Sequence, residues 1–436
     1  MKIAEIKSAI TGGQYDKAFA SLYGADFDKN AVYERYSKAV DRFVEIYGDK
    51  LSAVSEVNLF SVPGRSEISG NHTDHNHGKV VAAGISLDII AVAAKTDVPE
   101  IRIKSEGFNE DVCDITTAET VVESQKYKAA AIVRGMCDGF TKNGFKTGGY
   151  YAYTTSSVLK GSGLSSSAAF EVMVGNILNH FYNEGVIDAV EIAKIAQYAE
   201  NVHFGKPCGL MDQTACAVGS FVAIDFEDPK KPIVEKLPFD LTAHGYSLCI
   251  VNTGGNHADL NEDYASVPAE MKAVAKYFGK EVLRDVDKNE ILANIPVLRG
   301  IVGDRAIMRA LHFCNENVRV GKITAALKEN DITGFLKGIK ESGLSSSTML
   351  QNTYTVKNVA EQGISLALAV AGQVLDTKPG TAYRVHGGGF AGTMQAFVPN
   401  EYLDEFNTVM KSVFGEDSAY VLKVRPYGAV MLEKLA

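Results

Sequence analysis

The order of apolar and polar residues along the first hundred positions predicts helices followed by strands. Residues 1–50 carry apolar side chains at helical spacing, interrupted at Thr11-Gly12-Gly13, which predicts two or three short helices forming an N-terminal extension. Residues 59–62 resemble a short strand that ends at Pro63-Gly64. Residues 80–94 are almost continuously apolar, which predicts buried strands.

Strands and helices alternate through the rest of the chain. An edge strand is expected at 101–103, and further strands are expected at 150–158, 246–252 and 419–432. Helices are expected at 126–140, 168–181, 187–201 and in several stretches from about 260 to 375. The charged, proline-bearing segment 226–232 is typical of a hairpin turn or a domain boundary. This mixed order indicates an α+β protein.

Composition and charge narrow the class of protein. The 436 residues carry a net charge of −9 without a long run of Lys and Arg, which argues against nucleic-acid and membrane-surface partners. The first residues lack the apolar core of a signal peptide, so a cytoplasmic location is expected. Six cysteines occur without a CxxC pair, which predicts free thiols. Asp88, inside the apolar run, is interpreted as a capping or edge carboxylate.

A glycine- and serine-rich loop is the first candidate for chemistry. The string KGSGLSSSAA, residues 160–169, follows a predicted strand and opens a predicted helix. Glycines let backbone N–H groups approach an anion, and a helix N-terminus favours phosphate. The serines can donate to phosphate oxygens or bind Mg²⁺. A plain turn with a helix cap is the competing interpretation. The string SGLSSS recurs at 342–347, but it follows a charged helix there, and we interpret that copy as a coincidence.

Four motifs resemble those of the GHMP kinases, the superfamily of galactokinase, homoserine kinase and the mevalonate kinases. The glycine-serine loop is similar to the second motif of that superfamily. PGRSEISGNHTDHNHG, residues 63–78, is similar to the galactokinase signature PGRxxxxGEHTDYxxG. CGLMDQ, residues 208–213, resembles the galactokinase run CGIMDQ, and HGGGFAG, residues 386–392, resembles the third superfamily motif. The four motifs appear in family order.

The resemblance implies a two-lobed GHMP kinase fold. The N-terminal lobe is expected to resemble domain 2 of ribosomal protein S5, and the C-terminal lobe is expected to be ferredoxin-like. We divide the chain into an extension at 1–50, an N-terminal lobe at 51–235 and a C-terminal lobe at 236–436. The N-terminal lobe would carry the first two motifs, with the active site in the cleft between the lobes.

The resemblance also implies a role for each motif residue. Asp212 and Arg65 match the catalytic pair beside the attacking hydroxyl, and an adjacent arginine keeps a carboxylate ionised. Sugar-binding positions are Asn71, His72, Asp74, Gly209 and Tyr264. ATP-binding positions are Gly161, Ser162, Gly163, Leu164, Ser165, Ser166, Ser167, Gly387, Gly388 and Gly389. Mg²⁺ would be held by Glu200 together with Ser166 or Ser167.

The reaction implied is transfer of the ATP γ-phosphate to the anomeric hydroxyl of D-galactose, in a monomer or small homo-oligomer. Asn71 departs from the family, which has Glu there in contact with the hydroxyl at carbon 6. Asn tolerates a sugar carboxylate that Glu would repel. Galacturonate or another galacto-configured sugar is therefore an alternative substrate, and a non-catalytic sugar sensor is an alternative function. A zinc site formed by His72, His75, His77 and Asp74 is also considered.

Overall fold

The protein is described by a computed structural model that covers residues 1–52, 55–158, 163–255 and 260–436. Three helices precede the first strand, which confirms the helical prediction for residues 1–50. The helices are α1 (Ile3–Thr11), α2 (Asp16–Tyr23), α3 (Lys29–Tyr47), α4 (Ala129–Lys142), α5 (Ser166–Tyr182), α6 (Ala189–Tyr198), α7 (Met211–Val218), α8 (Asn261–Tyr277), α9 (Lys288–Ala293), α10 (Ile295–Ile301), α11 (Asp304–Lys328), α12 (Ile332–Ser345), α13 (Gly363–Leu375) and α14 (Leu403–Phe414). Short π-helical turns extend α6 (Ala199–Phe204) and α12 (Ser346–Leu350).

The strands form two sheets. They are β1 (Asn58–Ser69), β2 (Lys79–Lys95), β3 (Glu100–Ser105), β4 (Glu110–Asp114), β5 (Tyr150–Ser156), β6 (Phe221–Asp225), β7 (Ile233–Leu237), β8 (Tyr246–Asn252), β9 (Ala382–Val385), β10 (Thr393–Pro399), β11 (Ala419–Leu422) and β12 (Val430–Met431). The larger sheet has the order β12-β1-β2-β5-β3-β4, with β6 and β7 attached beside β2. Among the described residues, β3 and β5 are the one pair of strands in it that runs parallel. The smaller sheet is antiparallel, in the order β11-β8-β10-β9.

Both faces of the larger sheet are covered, which explains the almost continuous apolar run of β2 and the apolar start of β1. Phe60 and Ala91 face a core shared with α4 to α7. Leu59 and Val92, one residue away in each strand, face a second core shared with α1 to α3. Because successive strand residues point to opposite faces, two covered faces require apolar residues at nearly every position. Residues 1–50 therefore form one of the two helical layers on this sheet.

Two expectations about the strands were wrong. β1 does not end at Pro63-Gly64 but runs to Ser69, because breaks in the pairing register at Pro63/Arg65 and Glu67/Ser69 accommodate the proline as bulges. The segment at 101–103 is not an edge strand, because β3 pairs with β5 on one side and with β4 on the other. The segment 226–232 is the hairpin turn between β6 and β7.

Asp88 is fully buried inside the protein, so its interpretation as a capping or edge carboxylate was wrong. It is fully buried in β2 and forms ion pairs with Arg35 of α3 at 2.6 Å and with Arg425 at 3.3 Å. The hydroxyl of Tyr23 donates to the same carboxylate at 2.7 Å, and Ser61 of β1 also donates to it. The Asp88 cluster, as we call these five residues, joins the N-terminal helices to the paired strands β1 and β2, and Arg65 lies on β1.

The two sheets share a core, and the end of the chain returns to the larger sheet. Ile68 and Val81 of the larger sheet pack with Ile250 and Phe397 of the smaller sheet. β12 pairs with β1, so the last strand belongs to the larger sheet although it lies in the segment assigned to the C-terminal lobe. The division of the chain at residue 235 stays a prediction.

The second copy of SGLSSS occupies the end of α12 and the π-helical turn after it. Ser342 donates to Glu316 at 2.5 Å, and Ser346 donates to Asn71 at 3.3 Å. A helical segment cannot form a loop that opens a helix, so this copy does not repeat the phosphate loop. Among the described residues, no helix combines the length and the apolar composition that crossing a bilayer requires.

Candidate active site

The bulge in β1 brings the first motif against the glycine-serine loop. The Arg65 N–H donates to the Leu164 carbonyl at 3.1 Å. A Cβ atom on Gly64 would lie 2.8 Å from that same oxygen, so this close approach requires glycine. Arg65, on the bulged strand, therefore points its side chain toward the start of α5.

Arg65 and Asp212 form a two-point ion pair. Arg65 Nε lies 2.8 Å from Asp212 Oδ1, and Nη2 lies 2.9 Å from Oδ2. The remaining nitrogen, Nη1, donates to the Gly163 carbonyl of the loop. Asp212 stands in the first turn of α7, and about a third of its side chain (34%) is exposed. The structure thus brings together the two residues predicted to be catalytic and leaves the carboxylate accessible.

Ser165 is a third member of this group. Its backbone takes a left-handed conformation, with φ 57°, at the residue before α5. Its hydroxyl donates to Asp212 Oδ2, a contact that the prediction of a purely ATP-binding role did not include. Burial alone would raise the pKa of Asp212. The charge of Arg65 and the hydrogen bonds from Arg65 and Ser165 outweigh that effect, so its pKa lies below the usual value of 3.8.

A cleft of about 710 Å³ opens beside the first turn of α5. Ser166, Ser167 and Glu200 all line it, so the three predicted metal ligands border the same space. The aromatic side chains of Phe108, Phe170 and Phe204 also line this cleft, together with Ile132. The lining therefore combines hydroxyl and carboxylate oxygens with flat apolar surfaces.

Two glutamates that line the cleft share one hydrogen-bond donor. Gln213 Nε2 donates to Glu171 at 3.0 Å and to Glu200 at 2.9 Å. Burial and the neighbouring Glu200 charge raise the pKa of Glu171 to about 8. Lys206 lies 3.4 Å from the other oxygen of Glu200. Two close carboxylates beside serine hydroxyls are the oxygen donors that a hard cation prefers, so these residues fit Mg²⁺.

Asn71 is enclosed by protein on every side. Its Nδ2 donates to Glu67 at 2.9 Å and to the Gly387 carbonyl at 2.7 Å. Its Oδ1 accepts from Asn352 at 2.7 Å and from Ser346 at 3.3 Å. Both amide hydrogens and both lone pairs are thereby engaged, and the residue is fully buried. Asn71 holds the sugar motif to the glycine loop, and its contact with sugar stays a prediction.

The next sugar-motif residues lie close to the other predicted positions. His72 Nε2 is 2.8 Å from the Gly388 carbonyl. Burial and the nearby His75 lower the pKa of His72 to about 4, so the ring is neutral near pH 7. Asp74 lies beside Gly209, where an added Cβ atom would stand 2.8 Å from its carboxylate. The first motif and the CGLMDQ segment therefore share one wall.

The glycine loop between β9 and β10 closes the site. Gly387 and Gly389 have φ values of 67° and 79°, a conformation that other residues adopt with strain. Tyr264 of α8 donates to the Gly389 carbonyl at 3.1 Å. A Cβ atom on Gly388 would lie 2.7 Å from the Tyr264 ring. Tyr264 thus supports the loop, and its predicted stacking on sugar stays untested.

The predicted phosphate loop is described only in part. Gly161 and Ser162 lie outside the described residues. Gly163 has a φ of 71° and its carbonyl accepts from Arg65, whereas the Leu164 side chain is buried in the core between the sheets. Of Leu164, therefore, the backbone alone is available to a ligand.

Several residues take part in the site in ways that the sequence did not predict. Ser165 was assigned to ATP, and Glu67, Glu171 and Gln213 were not singled out. Glu67 follows Arg65 by two residues, but the strand was expected to end at Pro63-Gly64, so the face that these two side chains share is seen only in the structure. The role of Gln213 had no local signal either, because its two glutamates come from other helices.

The zinc hypothesis has no support in the described ranges. Within them, no group of three or more His, Cys, Asp and Glu side chains is placed to hold a metal ion. His72 is instead occupied with a backbone carbonyl, and His75 Nε2 lies 3.5 Å from Asp74.

Two family models match the chain. The galactokinase galactose-binding signature matches residues 41–95, and the GHMP kinases N terminal domain matches residues 128–220. The first range contains Arg65 and the sugar motif, and the second contains the glycine-serine loop and Asp212. The matched ranges therefore cover the two sides of the Arg65–Asp212 pair.

Curated relatives and solved structures agree with these models. The galactokinase of Clostridium acetobutylicum is 30% identical over 368 residues, which cover 83% of this chain and 90% of the relative. The galactokinase of Streptomyces coelicolor is 29% identical over 379 residues, which cover 86% and 92%. The crystal structure of Lactococcus lactis galactokinase complexed with galactose aligns with a TM-score of 0.73 at 24% identity, covering 91% of this chain and 99% of that one. Methanococcus jannaschii mevalonate kinase aligns with a TM-score of 0.57 at 14% identity, covering 85% and 98%.

Proposed function

The chain belongs to the galactokinase family, and from that premise we propose that it phosphorylates D-galactose. The reaction transfers the γ-phosphoryl group of ATP to the anomeric hydroxyl and yields galactose 1-phosphate and ADP. The observation that carries this proposal is the Arg65–Asp212 pair, which touches both the glycine-serine loop and the sugar-motif strand. Phosphoryl transfer depends mainly on positioning and charge neutralisation, and this pair supplies both.

In the mechanism we propose, Asp212 orients the attacking hydroxyl and accepts its proton. Its lowered pKa keeps it ionised near pH 7, and a third of the side chain is open to a ligand. Arg65 holds the carboxylate by two hydrogen bonds, and its positive charge lies where negative charge develops on the transferring group. Ser165 fixes the second carboxylate oxygen, which limits rotation of Asp212.

The nucleotide would occupy the cleft beside α5. The helix N-terminus at Ser166 favours the phosphates, and the apolar wall with Phe108 and Phe170 suits a purine base. Gly387 to Gly389 would approach the phosphates from the other side. Glu200 with Ser166 or Ser167 would hold Mg²⁺. When bound, that ion neutralises part of the phosphate charge.

A neutral hexose is favoured over galacturonate by the surroundings of Asn71. Glu67 lies 2.9 Å from the Asn71 amide, so an amide at position 71 still leaves a carboxyl group in that part of the site. Asp74 adds a second carboxylate to the sugar motif. A sugar carboxylate placed among these groups would meet like charges, which disfavour binding.

Sugar-dependent ADP release tests this proposal. The purified chain is assayed with ATP, Mg²⁺ and one of D-galactose, D-galacturonate or D-glucose, and the product is identified by ³¹P NMR. We expect turnover with galactose and an anomeric phosphate signal. Turnover with galacturonate alone would overturn the choice of substrate. Tight galactose binding without ADP release would favour the sensor function.

A further inference from the structure

Glu67 is placed among the reacting and sugar-binding groups, although no role has been assigned to it. It follows Arg65 by two positions on β1, so both side chains leave the same face of the strand. Arg65 reaches Asp212 from that face. Glu67 keeps 6% of its surface exposed, whereas Asn71 beside it is fully buried. Of these two neighbours, only Glu67 keeps any exposed surface.

The hydrogen bonds of Glu67 leave one carboxylate oxygen unused. Oε1 accepts from Asn71 Nδ2 at 2.9 Å and lies 3.4 Å from Arg384 Nη2. Oε2 has no hydrogen-bond partner within the part of the chain that the structure describes. A carboxylate can accept about four hydrogen bonds, so Oε2 retains its full capacity. Leaving an acceptor empty is costly in a site closed from water.

The charges that act on Glu67 are those of the active site. Burial raises its pKa, the arginines 384 and 65 lower it, and the carboxylate of Asp74 raises it again. Glu67 is therefore within electrostatic reach of both the arginine of the catalytic pair and the acid of the sugar motif. A sugar that binds at Asp212 and at Asp74 would lie near this carboxylate.

We propose that Glu67 is a specificity-determining residue that binds the sugar directly, with Oε2 accepting a hydrogen bond from a hydroxyl other than the anomeric one. Asn71 holds Oε1 at 2.9 Å and so aims Oε2 into the site, whereas Arg384, at 3.4 Å, contributes mainly its charge. Asn71 itself has no hydrogen-bonding capacity left for a sugar. The inference rests on the proposed galactose kinase activity.

The Glu67→Gln variant tests this role with little change in shape. Asn71 and Arg384 are donors, so they select the amide oxygen of Gln and leave its NH₂ group facing the sugar. The acceptor at Oε2 is thereby lost. We expect kcat/KM for galactose to fall about tenfold to a hundredfold, mainly through KM, while KM for ATP stays unchanged.

A panel of 2-, 3-, 4- and 6-deoxygalactose separates sugar contact from structural support. With the wild-type protein, kcat/KM for the sugar that lacks the contacted hydroxyl should be lower than kcat/KM for galactose by about the factor expected for Glu67→Gln. That sugar should show little further loss in Glu67→Gln, because the contact is already gone. Equal penalties for every deoxy sugar in both proteins would overturn the proposal.

The Arg384→Gln variant is the matched control, since it removes the same ion pair from the other partner but keeps Oε2. Its deoxy-sugar penalties should match those of the wild type. If they instead match those of Glu67→Gln, loss of the Glu67–Arg384 ion pair explains the change in sugar recognition, and Glu67 does not contact the sugar. Thermal unfolding of both variants establishes that they are folded. If wild-type protein releases no ADP with galactose, the proposed function fails before this test begins.

Discussion

Arg65 and Asp212 are 147 positions apart in sequence and meet through two parallel hydrogen bonds of 2.8 and 2.9 Å. This geometry fixes the carboxylate plane as well as its charge, since a guanidinium fork matches a carboxylate at two points. Two parts of the chain have to be placed correctly for the pair to form, namely the bulged strand β1 and the first turn of α7. The first predictions concern this pair.

Replacing Asp212 with Asn should cut turnover about a thousandfold, because the side chain keeps its size but loses its charge and its ability to accept a proton. Initial rates of ADP release at saturating galactose and ATP measure the effect. Asp225→Asn is the matched control, since Asp225 also pairs with an arginine, Arg284, at 3.0 Å. Equal losses of turnover in the two variants would contradict a catalytic role for Asp212.

Replacing Arg65 with Gln should move the acid limb of the pH–rate profile to higher pH. The arginine charge holds the pKa of Asp212 below 3.8 against the effect of burial, so its removal lets that pKa rise. An ionised Asp212 is needed for reaction, and activity is then lost at a higher pH on acidification. The pH dependence of kcat/KM for galactose checks this. An unchanged acid limb would separate Arg65 from the ionisation of Asp212.

Alanine substitutions of the neighbouring loop serines should change different kinetic constants. Ser165→Ala removes a hydrogen bond to Asp212, so kcat should fall about tenfold with KM for ATP unchanged. Ser166→Ala and Ser167→Ala remove hydroxyls that face the cleft, so KM for ATP should rise. Steady-state kinetics with both substrates varied distinguishes these outcomes. A Ser165→Ala variant with an effect on KM for ATP alone would place that hydroxyl with the nucleotide.

Glu200→Gln should raise the Mg²⁺ concentration required for half-maximal rate by at least about tenfold, because a carboxylate ligand becomes neutral. A Mg²⁺ titration of the rate at fixed ATP measures the change. Glu106→Gln is the matched control, because Glu106 lines the same cleft but its carboxylate accepts a hydrogen bond from Thr155. A similar Mg²⁺ shift in the control would mean that general charge, and not ligation, is responsible.

Asp88→Asn should lower the free energy of unfolding by about 3–5 kcal/mol, because it leaves Arg425 buried without its partner. Asp26→Asn breaks an exposed pair with Lys423 and should change that free energy by about 0.5 kcal/mol or less. Urea unfolding followed by circular dichroism compares them. The pKa of Asp88 is lowered, so its stabilisation is complete above pH 3.8 and is lost as the pH falls through the lower, folded-state value. Equal sensitivity of both variants to urea would contradict the central place of Asp88.

Sequence patterns predicted where helices and strands lie along the chain better than they predicted which strands pair side by side. The apolar run 80–94 corresponds to β2, which spans Lys79–Lys95, and α5 begins at the predicted loop. The edge position expected for β3 was wrong, because alternation reports which faces are buried and not whether a second strand pairs alongside. The continuation of β1 past Pro63 depends on a bulge, which a short motif does not reveal.

For the candidate site, too, the sequence predicted the main residues but not all of their contacts. The resemblance identified Arg65 and Asp212, and the structure brings them together. It could not foresee that Ser165 contacts Asp212, or that Asn71 is saturated by protein contacts. Those contacts depend on backbone placement at φ 57° and on side chains of the π-helical turn after α12 and of the segment that follows it. They arise from packing between distant segments, which a local motif does not encode.

The Asp88 cluster has a consequence for how the protein acquires its shape. Tyr23 and Arg35 are made early, Arg425 is made some four hundred residues later, and all three meet on one carboxylate. The same is true of Tyr15, which donates to Glu433 at 3.0 Å. These contacts can therefore form only after residues 425–433 have been synthesised, long after the first helices. Because so long a loop has to be closed, the two ends of the chain meet slowly, and the N-terminal helical layer is completed late in folding.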